Sequence, residues 1–75
     1  MPWKQYRSHK IVKAAPIIEI NNDGVPLVAF DEVFIPNVPD MALKAKAGDY
    51  AIEYEDGYKS ISPKAAFESG YTEIP

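Results

Sequence analysis

Few residues in this chain have side chains that could do chemistry. Its 75 residues include one histidine, His9, and no cysteine. Nucleophilic catalysis needs a nucleophile, a base and a group that orients the base. Ser8 and His9 do not form such a set, because neighbouring side chains on an extended segment point apart. One histidine among carboxylates is also a poor zinc site. The sequence therefore predicts no catalytic residue, no metal site and no cofactor, and favours a protein that is not an enzyme.

Carboxylates are the second group with possible chemistry. Glu53, Glu55 and Asp56 lie close together, and Asp31-Glu32 is a further pair. A glycosidase needs two carboxylates at a set separation across a cleft, and a chain of this length has little room for one. The acids also do not follow the spacing of an EF-hand calcium loop. We interpret Glu53 and Glu55 as part of a solvated strand face.

Positive charge is concentrated at the N-terminal end. Residues 1–14 carry four Lys or Arg and no acid, whereas the remaining residues carry all eleven acids, and the net charge is -3. Cations alternate with rings there, as they do in sites that stack on nucleic-acid bases. An acidic body repels nucleic acid, however, and an arm docked on the body explains the same pattern. The candidate contact residues of this arm are Trp3, Tyr6, Arg7, His9 and Lys10.

The elements that must position these residues are mostly strands. Residues 10–20 alternate with the period of a strand, and Pro16 makes them an edge strand or two short strands with a bend. Residues 21–24, Asn-Asn-Asp-Gly, predict a turn. Residues 25–35 are a second β segment, in which Val28, Phe30 and Phe34 share one face and the pattern switches near Asp31-Glu32. Residues 36–40 are a loop, and residues 41–47 are a short helix or an extended segment.

A β-hairpin is predicted over residues 50–61. Apolar side chains alternate with small or acidic ones from Tyr50 to Glu55. Asp56-Gly57 favours a two-residue type I′ turn, which places Ile52 opposite Ile61. The predicted inner face holds Tyr50, Ile52, Tyr54 and Ile61, with Lys59 at its turn end, and the outer face holds Ala51, Glu53, Glu55, Tyr58 and Ser60.

Tyr58 and the outer acids are the candidate partner contacts of this hairpin. Tyr58 lies at the tip, and tyrosine is enriched among the residues that dominate protein interfaces. Alternatively, Tyr58 lies across the outer face of the sheet opposite Glu55. The other positions of the hairpin have a structural reason, so any contact made here would involve Tyr58, Glu53 and Glu55.

A short helix is predicted after the hairpin. Ser62 is a suitable N-cap, Pro63 suits the first helical position, and Gly70 suits the residue that ends a helix. Phe67 is the expected anchor of this helix in the core. Residues 71–74 can form a last short strand.

Together these elements predict one domain, with a basic irregular arm (residues 1–9) and a β-rich body (residues 10–75). The fold class is mainly β (α+β), with four to five antiparallel strands in a small sheet or an SH3-like or split barrel, and one short C-terminal helix. No apolar run reaches the roughly 18–20 residues of a membrane span, so we expect no membrane partner. Edge strands in so small a domain favour a homo-oligomer.

Both ends of the sequence resemble a family of short phage and prophage proteins. The N-terminal likeness is carried by residues 6–15, Tyr-Arg-Ser-His-Lys-Ile-Val-Lys-Ala-Ala. The C-terminal likeness is carried by Gly48-Asp49-Tyr50, by residues 53–58 (Glu-Tyr-Glu-Asp-Gly-Tyr), by Ser60 and Ser62-Pro63, by Ala66-Phe67-Glu68 and by Gly70-Tyr71-Thr72. The family is generally described as uncharacterised. The resemblance implies an accessory protein of a tailed phage, made in the host bacterial cytoplasm, and it supplies no catalytic residues.

Three functions remain as expectations. The first is a small non-enzymatic module that binds a host or phage protein, as a modulator of a host or defence factor. The second is a structural component of the virion or of its assembly. The third is a nucleic-acid accessory protein that uses the basic arm, which is the less favoured partner class.

Overall fold

The computed structural model describes residues 3–7 and 11–73 of the chain. Over these residues it contains eight strands, one α-helix and two 3₁₀-helices. The 3₁₀-helices are Ala29–Asp31 and Pro39–Lys44, and the α-helix, α1, is Lys64–Gly70. The strands are β1 (Lys4–Arg7), β2 (Ile11–Pro16), β3 (Glu19–Ile20), β4 (Pro26–Val28), β5 (Glu32–Val33), β6 (Tyr50–Tyr54), β7 (Lys59–Ser62) and β8 (Thr72–Glu73).

The strands form two antiparallel sheets. The large sheet has five strands in the order β7-β6-β2-β1-β8, and the small sheet has three in the order β3-β4-β5. The predicted class, mainly β and antiparallel with one short C-terminal helix, is confirmed. The prediction of four to five strands was too low, because three of the strands have two residues each and β1 was not expected. The sheets do not close into a barrel.

The N-terminal segment is not the irregular arm that was predicted. Strand β1 lies inside the large sheet, with Lys4 opposite Ala14 on β2 and Tyr6 opposite Glu73 on β8. Two rings of this segment pack on opposite faces of the sheet. Tyr6 packs in the cluster under α1, whereas Trp3, which comes just before the strand, packs in the cluster under the small sheet. Burial of both rings favours the strand over a loose arm. The predictions for His9 and Lys10 fall outside the described residues.

Each face of the large sheet has its own core. The sheet-side cluster lies between the two sheets, and the helix-side cluster lies under α1. The sheet-side cluster contains Ala15, Ile17, Val28, Phe34 and Ala51, with Trp3, Ile20, Ala45 and Ile61 against it. The helix-side cluster contains Val12, Ala14, Ile52 and Phe67, with Tyr6, Tyr50, Tyr54 and Tyr71 against it. Ala51, predicted on a solvated outer face, is 0% exposed because this face is covered by the small sheet.

The hairpin of β6 and β7 is present, but its register differs by one residue from the prediction. Ala51, not Ile52, lies opposite Ile61. The Gly57 N–H donates to the Tyr54 carbonyl at 2.9 Å, and the Tyr54 N–H donates to the Tyr58 carbonyl at 2.9 Å, so the loop has three residues. Gly57 takes a positive φ of 89° and Asp56 does not, as in a type I turn followed by a left-handed glycine.

Helix α1 begins one residue later than predicted and is capped from a distant residue. Pro63, not Ser62, occupies the N-cap position, and it makes no side-chain cap. Asp49, which is 4% exposed, accepts the Lys64 N–H on Oδ1 at 3.1 Å and the Lys46 N–H on Oδ2 at 3.2 Å. Gly70 is the last helical residue and does not take the positive φ expected of it. Phe67 is buried, as predicted.

The middle of the chain forms the small sheet and its loops. The turn at residues 21–24 is confirmed, with the Gly24 N–H donating to the Asn21 carbonyl at 2.9 Å. Pro16 ends β2 and β3 follows after a bend, which is the second of the two predicted alternatives. The second β segment is interrupted at Ala29–Asp31, slightly before the predicted switch. The undecided stretch at residues 41–47 is partly a 3₁₀-helix, Pro39–Lys44.

Candidate functional site

The structure separates the predicted contact residues into two groups. Trp3 and Tyr6 are half-buried in the core, whereas Arg7 is exposed at the end of β1. Glu53, Glu55 and Tyr58 belong to the hairpin of β6 and β7. Arg7 is the member of the first group that comes near the second, because it pairs with Ile11 at the start of β2.

The rings of the N-terminal segment are occupied by packing. The centroid of the Trp3 ring lies 5.9 Å from that of Phe34, and the Tyr6 ring meets Phe67 edge to face at 4.8 Å. Stacking on nucleic-acid bases needs open ring faces. The packing of Trp3 and Tyr6 therefore supports a segment docked on the body over one that stacks on nucleic-acid bases.

A groove lies at the tip of the hairpin. It has a volume of about 450 Å³, and we call it the tip groove. Because Val12 pairs with Tyr54, Ile11 at the start of β2 comes next to the hairpin loop. The rings of Tyr54 and Tyr58 lie 6.0 Å apart at an angle of 52° and form part of one wall. The lining residues are Ile11, Tyr54, Glu55, Asp56 and Tyr58.

The tip groove combines apolar surface with negative charge. Ile11 and Tyr58 are 37% and 38% exposed, and Glu55 and Asp56 beside them are also exposed. The Asp56 carboxylate accepts the Tyr58 N–H at 3.0 Å, which fixes the backbone that carries the ring. Such an arrangement is suited to contact with an apolar side chain that has cations nearby.

Glu53 lies apart from this negative rim. It is half-buried, and the strand register places it between Lys13 on β2 and Lys59 on β7. Cross-strand partners of opposite charge stabilise a sheet. Glu53 also lines a smaller groove of about 270 Å³ along β2, which shares Ile11, Tyr54 and Glu55 with the tip groove. The acids placed to meet a partner at the tip are therefore Glu55 and Asp56 more than Glu53.

The Tyr54 phenol at the tip groove is held in its protonated form. Burial raises the pKa of Tyr54 above its ordinary value of 10.0, and the neighbouring Tyr71 and Tyr58 raise it further. A phenol with a raised pKa stays protonated at neutral pH and is neither a base nor a nucleophile. Within residues 3–7 and 11–73, no group of three or more His, Cys, Asp or Glu side chains is placed to hold a metal ion.

Sequence reasoning missed two residues that matter to the surface. Ile11 was seen only as part of a strand, because its position beside the loop depends on the pairing of β2 with β6. Phe30 was placed on a shared face with Val28 and Phe34, but its side chain is 89% exposed. It has φ 64° and ψ 27° inside the turn between β4 and β5, a left-handed conformation that costs a bulky residue about 1–3 kcal/mol. A glycine or asparagine there would have revealed the turn.

Comparison with protein-family models, with curated proteins and with solved structures gives no match for this chain. In the part of the chain that the structure describes, no helix has the length and apolar character needed to cross a membrane.

Proposed function

We propose that this protein is a small non-enzymatic module that binds another protein through the tip groove. The observation that carries the proposal is the groove itself, where the exposed surfaces of Ile11 and Tyr58 meet the carboxylates of Glu55 and Asp56. Tyrosine provides a large contact area at a small cost in side-chain entropy, which is why it is common among interface anchors.

The chemistry of the groove defines the partner segment. An apolar side chain fits between Ile11 and Tyr58, and a Lys or Arg on the same segment pairs with Glu55 or Asp56. The sequence from residue 15 onward is acidic, and this charge adds long-range attraction for a basic partner.

The proposed origin is a phage, and the proposed location is the cytoplasm of the host bacterium. The resemblance of both ends of the sequence to short phage and prophage proteins supports this part of the proposal. In this setting the partner is a host or phage protein, and the module modulates a host or defence factor.

Affinity capture with matched variants tests the proposal. We expect tagged wild-type protein to enrich a partner from bacterial lysate, and Tyr58→Ala to reduce the enrichment at least about tenfold, as removal of an interface anchor does. Glu55→Lys should also weaken capture, because it reverses a charge that meets the partner's cation. Leu43→Ala is the control, since Leu43 is 81% exposed but lies outside the tip groove.

Two outcomes of this experiment contradict the proposal. One is that no protein is enriched from several hosts. The other is that the partner binds Tyr58→Ala as well as it binds wild type while all variants keep the wild-type circular dichroism spectrum.

A second candidate function, a component of the virion or of its assembly, is favoured by a separate observation. Phe30 presents an exposed aromatic ring in the β4–β5 turn of the small sheet, and it is not among the residues that line the tip groove. Assembly components associate with copies of themselves or of each other, and such a ring suits that role. The nucleic-acid alternative has no comparable support, because Trp3 and Tyr6 are packed in the core.

A further inference from the structure

A second groove lies at the end of the large sheet opposite the hairpin tip. Pro16 pairs with Tyr50 at this end, whereas the hairpin loop follows Tyr54 at the other. The groove has a volume of about 330 Å³, and we call it the Ile18 groove after one of its exposed apolar residues. It is lined by Lys4, Tyr6, Pro16, Ile18, Ala29 and Tyr50.

The Ile18 groove adjoins the most exposed aromatic side chain among the described residues. Ala29 lines the groove, and Phe30 follows it with a ring that is 89% exposed. The turn that carries this ring is fixed, because Val28 and Glu32 on either side of it pair with each other. An exposed ring held in a strained left-handed backbone has no role in the core of this domain. Strained residues persist where the strain serves a contact.

We propose that two copies of this chain form a two-fold dimer in which Phe30 of each copy inserts into the Ile18 groove of the other. In a two-fold interface, a residue and the site that it fills must both lie on the same surface patch. Phe30 and the groove satisfy this condition, because Ala29, the residue before Phe30, lines the groove. A cavity of about 150 Å³ holds a benzene molecule, so a groove of about 330 Å³ has room for one phenyl ring.

Charge supports a second copy as the occupant. Among the residues whose side chains the structure describes, Lys4 is the one formally charged residue lining the groove. Glu32 lies two residues after Phe30 on the exposed edge strand β5. An inserted Phe30 therefore brings a carboxylate of one copy towards the Lys4 ammonium of the other. The Lys4 Nζ already lies 3.6 Å from the Glu73 Oε2 of the same copy, but both side chains are about half exposed. Such an exposed ion pair is weak, so Lys4 can pair with Glu32 of the other copy as well or instead.

Sedimentation equilibrium of the untagged protein tests the dimer. Over about 10 µM to about 1 mM we expect wild type to show a monomer–dimer equilibrium, and Phe30→Asn to raise the dissociation constant at least about tenfold. Asparagine tolerates the left-handed region, so this variant is expected to fold. Leu43→Asn is the matched control, because it removes another highly exposed apolar side chain and should leave the equilibrium unchanged.

A charge swap then tests the proposed geometry. Lys4→Glu alone and Glu32→Lys alone should each weaken the dimer, because each puts like charges together at both contacts of the two-fold. An equimolar mixture of the two variants should associate as well as wild type, since both contacts of the mixed dimer then join opposite charges. Association of the mixture as strong as that of wild type requires that residue 4 of one copy contacts residue 32 of the other.

Three results would overturn the dimer. They are a wild-type protein that stays monomeric at the highest concentration, equal weakening by Phe30→Asn and Leu43→Asn, and a variant mixture no stronger than its components. The result is separable from the test of the tip groove, because Phe30→Asn leaves Tyr58 and Ile11 unchanged at the other end of the sheet.

Discussion

The two faces of the large sheet are buried in different ways. On the sheet side, Ala15 and Ala51 have no exposed area, and their small side chains allow the small sheet to lie close against the large one. On the helix side, the covering element is the seven-residue α1, and Phe67 is its one buried residue. A short helix covers little area by itself, so tyrosine rings fill the remaining space.

One side chain holds the helix-side cluster together. The Phe67 ring stacks on Tyr50 at 4.2 Å and on Tyr71 at 4.7 Å between centroids, and it meets Tyr6 edge to face at 4.8 Å. The sheet-side cluster has no comparable centre, because strands from both sheets contribute several small or branched side chains to it. The helix side therefore centres on one large ring, whereas the sheet side combines the Trp3–Phe34 pair with small side chains at Ala15 and Ala51.

The largest expected effect comes from removing the centre of the helix side. Phe67→Ala should lower the free energy of unfolding by about 3–5 kcal/mol, because it loses the buried ring and leaves a cavity among three others. At about 0.05–0.15 kcal/mol per residue, this is a large share of the stability of the domain. Urea unfolding followed by circular dichroism measures it. Ala66→Ser, on the exposed side of α1, is the control, and a loss below about 1 kcal/mol for Phe67→Ala would contradict the comparison.

The next effect tests the close approach of the two sheets. Ala51→Val adds two methyl groups where no space is left, and we expect it to cost about 1–3 kcal/mol despite the higher β propensity of valine. Ala47→Val places the same change at an exposed loop position and should stay within about 0.5 kcal/mol. If Ala51→Val is neutral or stabilising in the same urea assay, the sheets are not packed as closely as the alanines indicate.

The smallest effect concerns pH, and it should arise from the helix side alone. Burial raises the pKa of Tyr50 above its ordinary value of 10.0, and the hydrogen bond that its hydroxyl donates to Glu68 at 3.1 Å and the charge of that carboxylate raise it further. Burial also raises the pKa of Tyr54, and its tyrosine neighbours add to this shift. The folded state therefore holds these protons more tightly than the unfolded state does. The contribution of these two phenols to the free energy of unfolding should be fully present below pH 10. It should be lost as the pH rises from there through the pKa values of the folded state.

Urea midpoints at pH 8 and pH 11 measure this alkaline loss, and the double variant Tyr50→Phe/Tyr54→Phe should reduce it. Ile61→Val is a control on the sheet side, where the cluster contains no ionisable group, and it should leave the alkaline loss unchanged. An equal loss in wild type and in the tyrosine variant would show that other groups govern it.

Local patterns in the sequence predicted most of the elements. Alternation identified β2 and β6, and the Asp56-Gly57 turn identified β7 as the partner of β6. The Asn-Asn-Asp-Gly segment identified the turn at Gly24, and Phe67 was recognised as the helix anchor. The register of the hairpin was missed by one residue because Asp56-Gly57 suits two turns. It can form a two-residue type I′ loop, or it can end a three-residue loop with glycine in the left-handed position.

The features that sequence reasoning missed depend on distant parts of the chain. Strand β1 has its neighbours on β2 and β8, so nothing within residues 1–9 marks it as an interior strand. Asp49 caps α1 only because the loop before β6 passes the helix start. For the site, the hairpin pattern predicted Tyr58, Glu53 and Glu55 as contacts and Asp56 only as a turn residue. Ile11 and Phe30 were not predicted, because tertiary pairing and a strained turn decide their exposure.

The pairing of β1 with β8 also has a consequence for the order in which the chain folds. Tyr6 can meet its neighbour Glu73 only after all the residues between them have been synthesised, whereas β1 and β2, like β6 and β7, are close together in the sequence. Closing a long loop is slower than closing a short one, because more chain entropy is lost before the contact forms. During synthesis on the ribosome, one edge of β1 therefore stays unpaired until the last strand emerges.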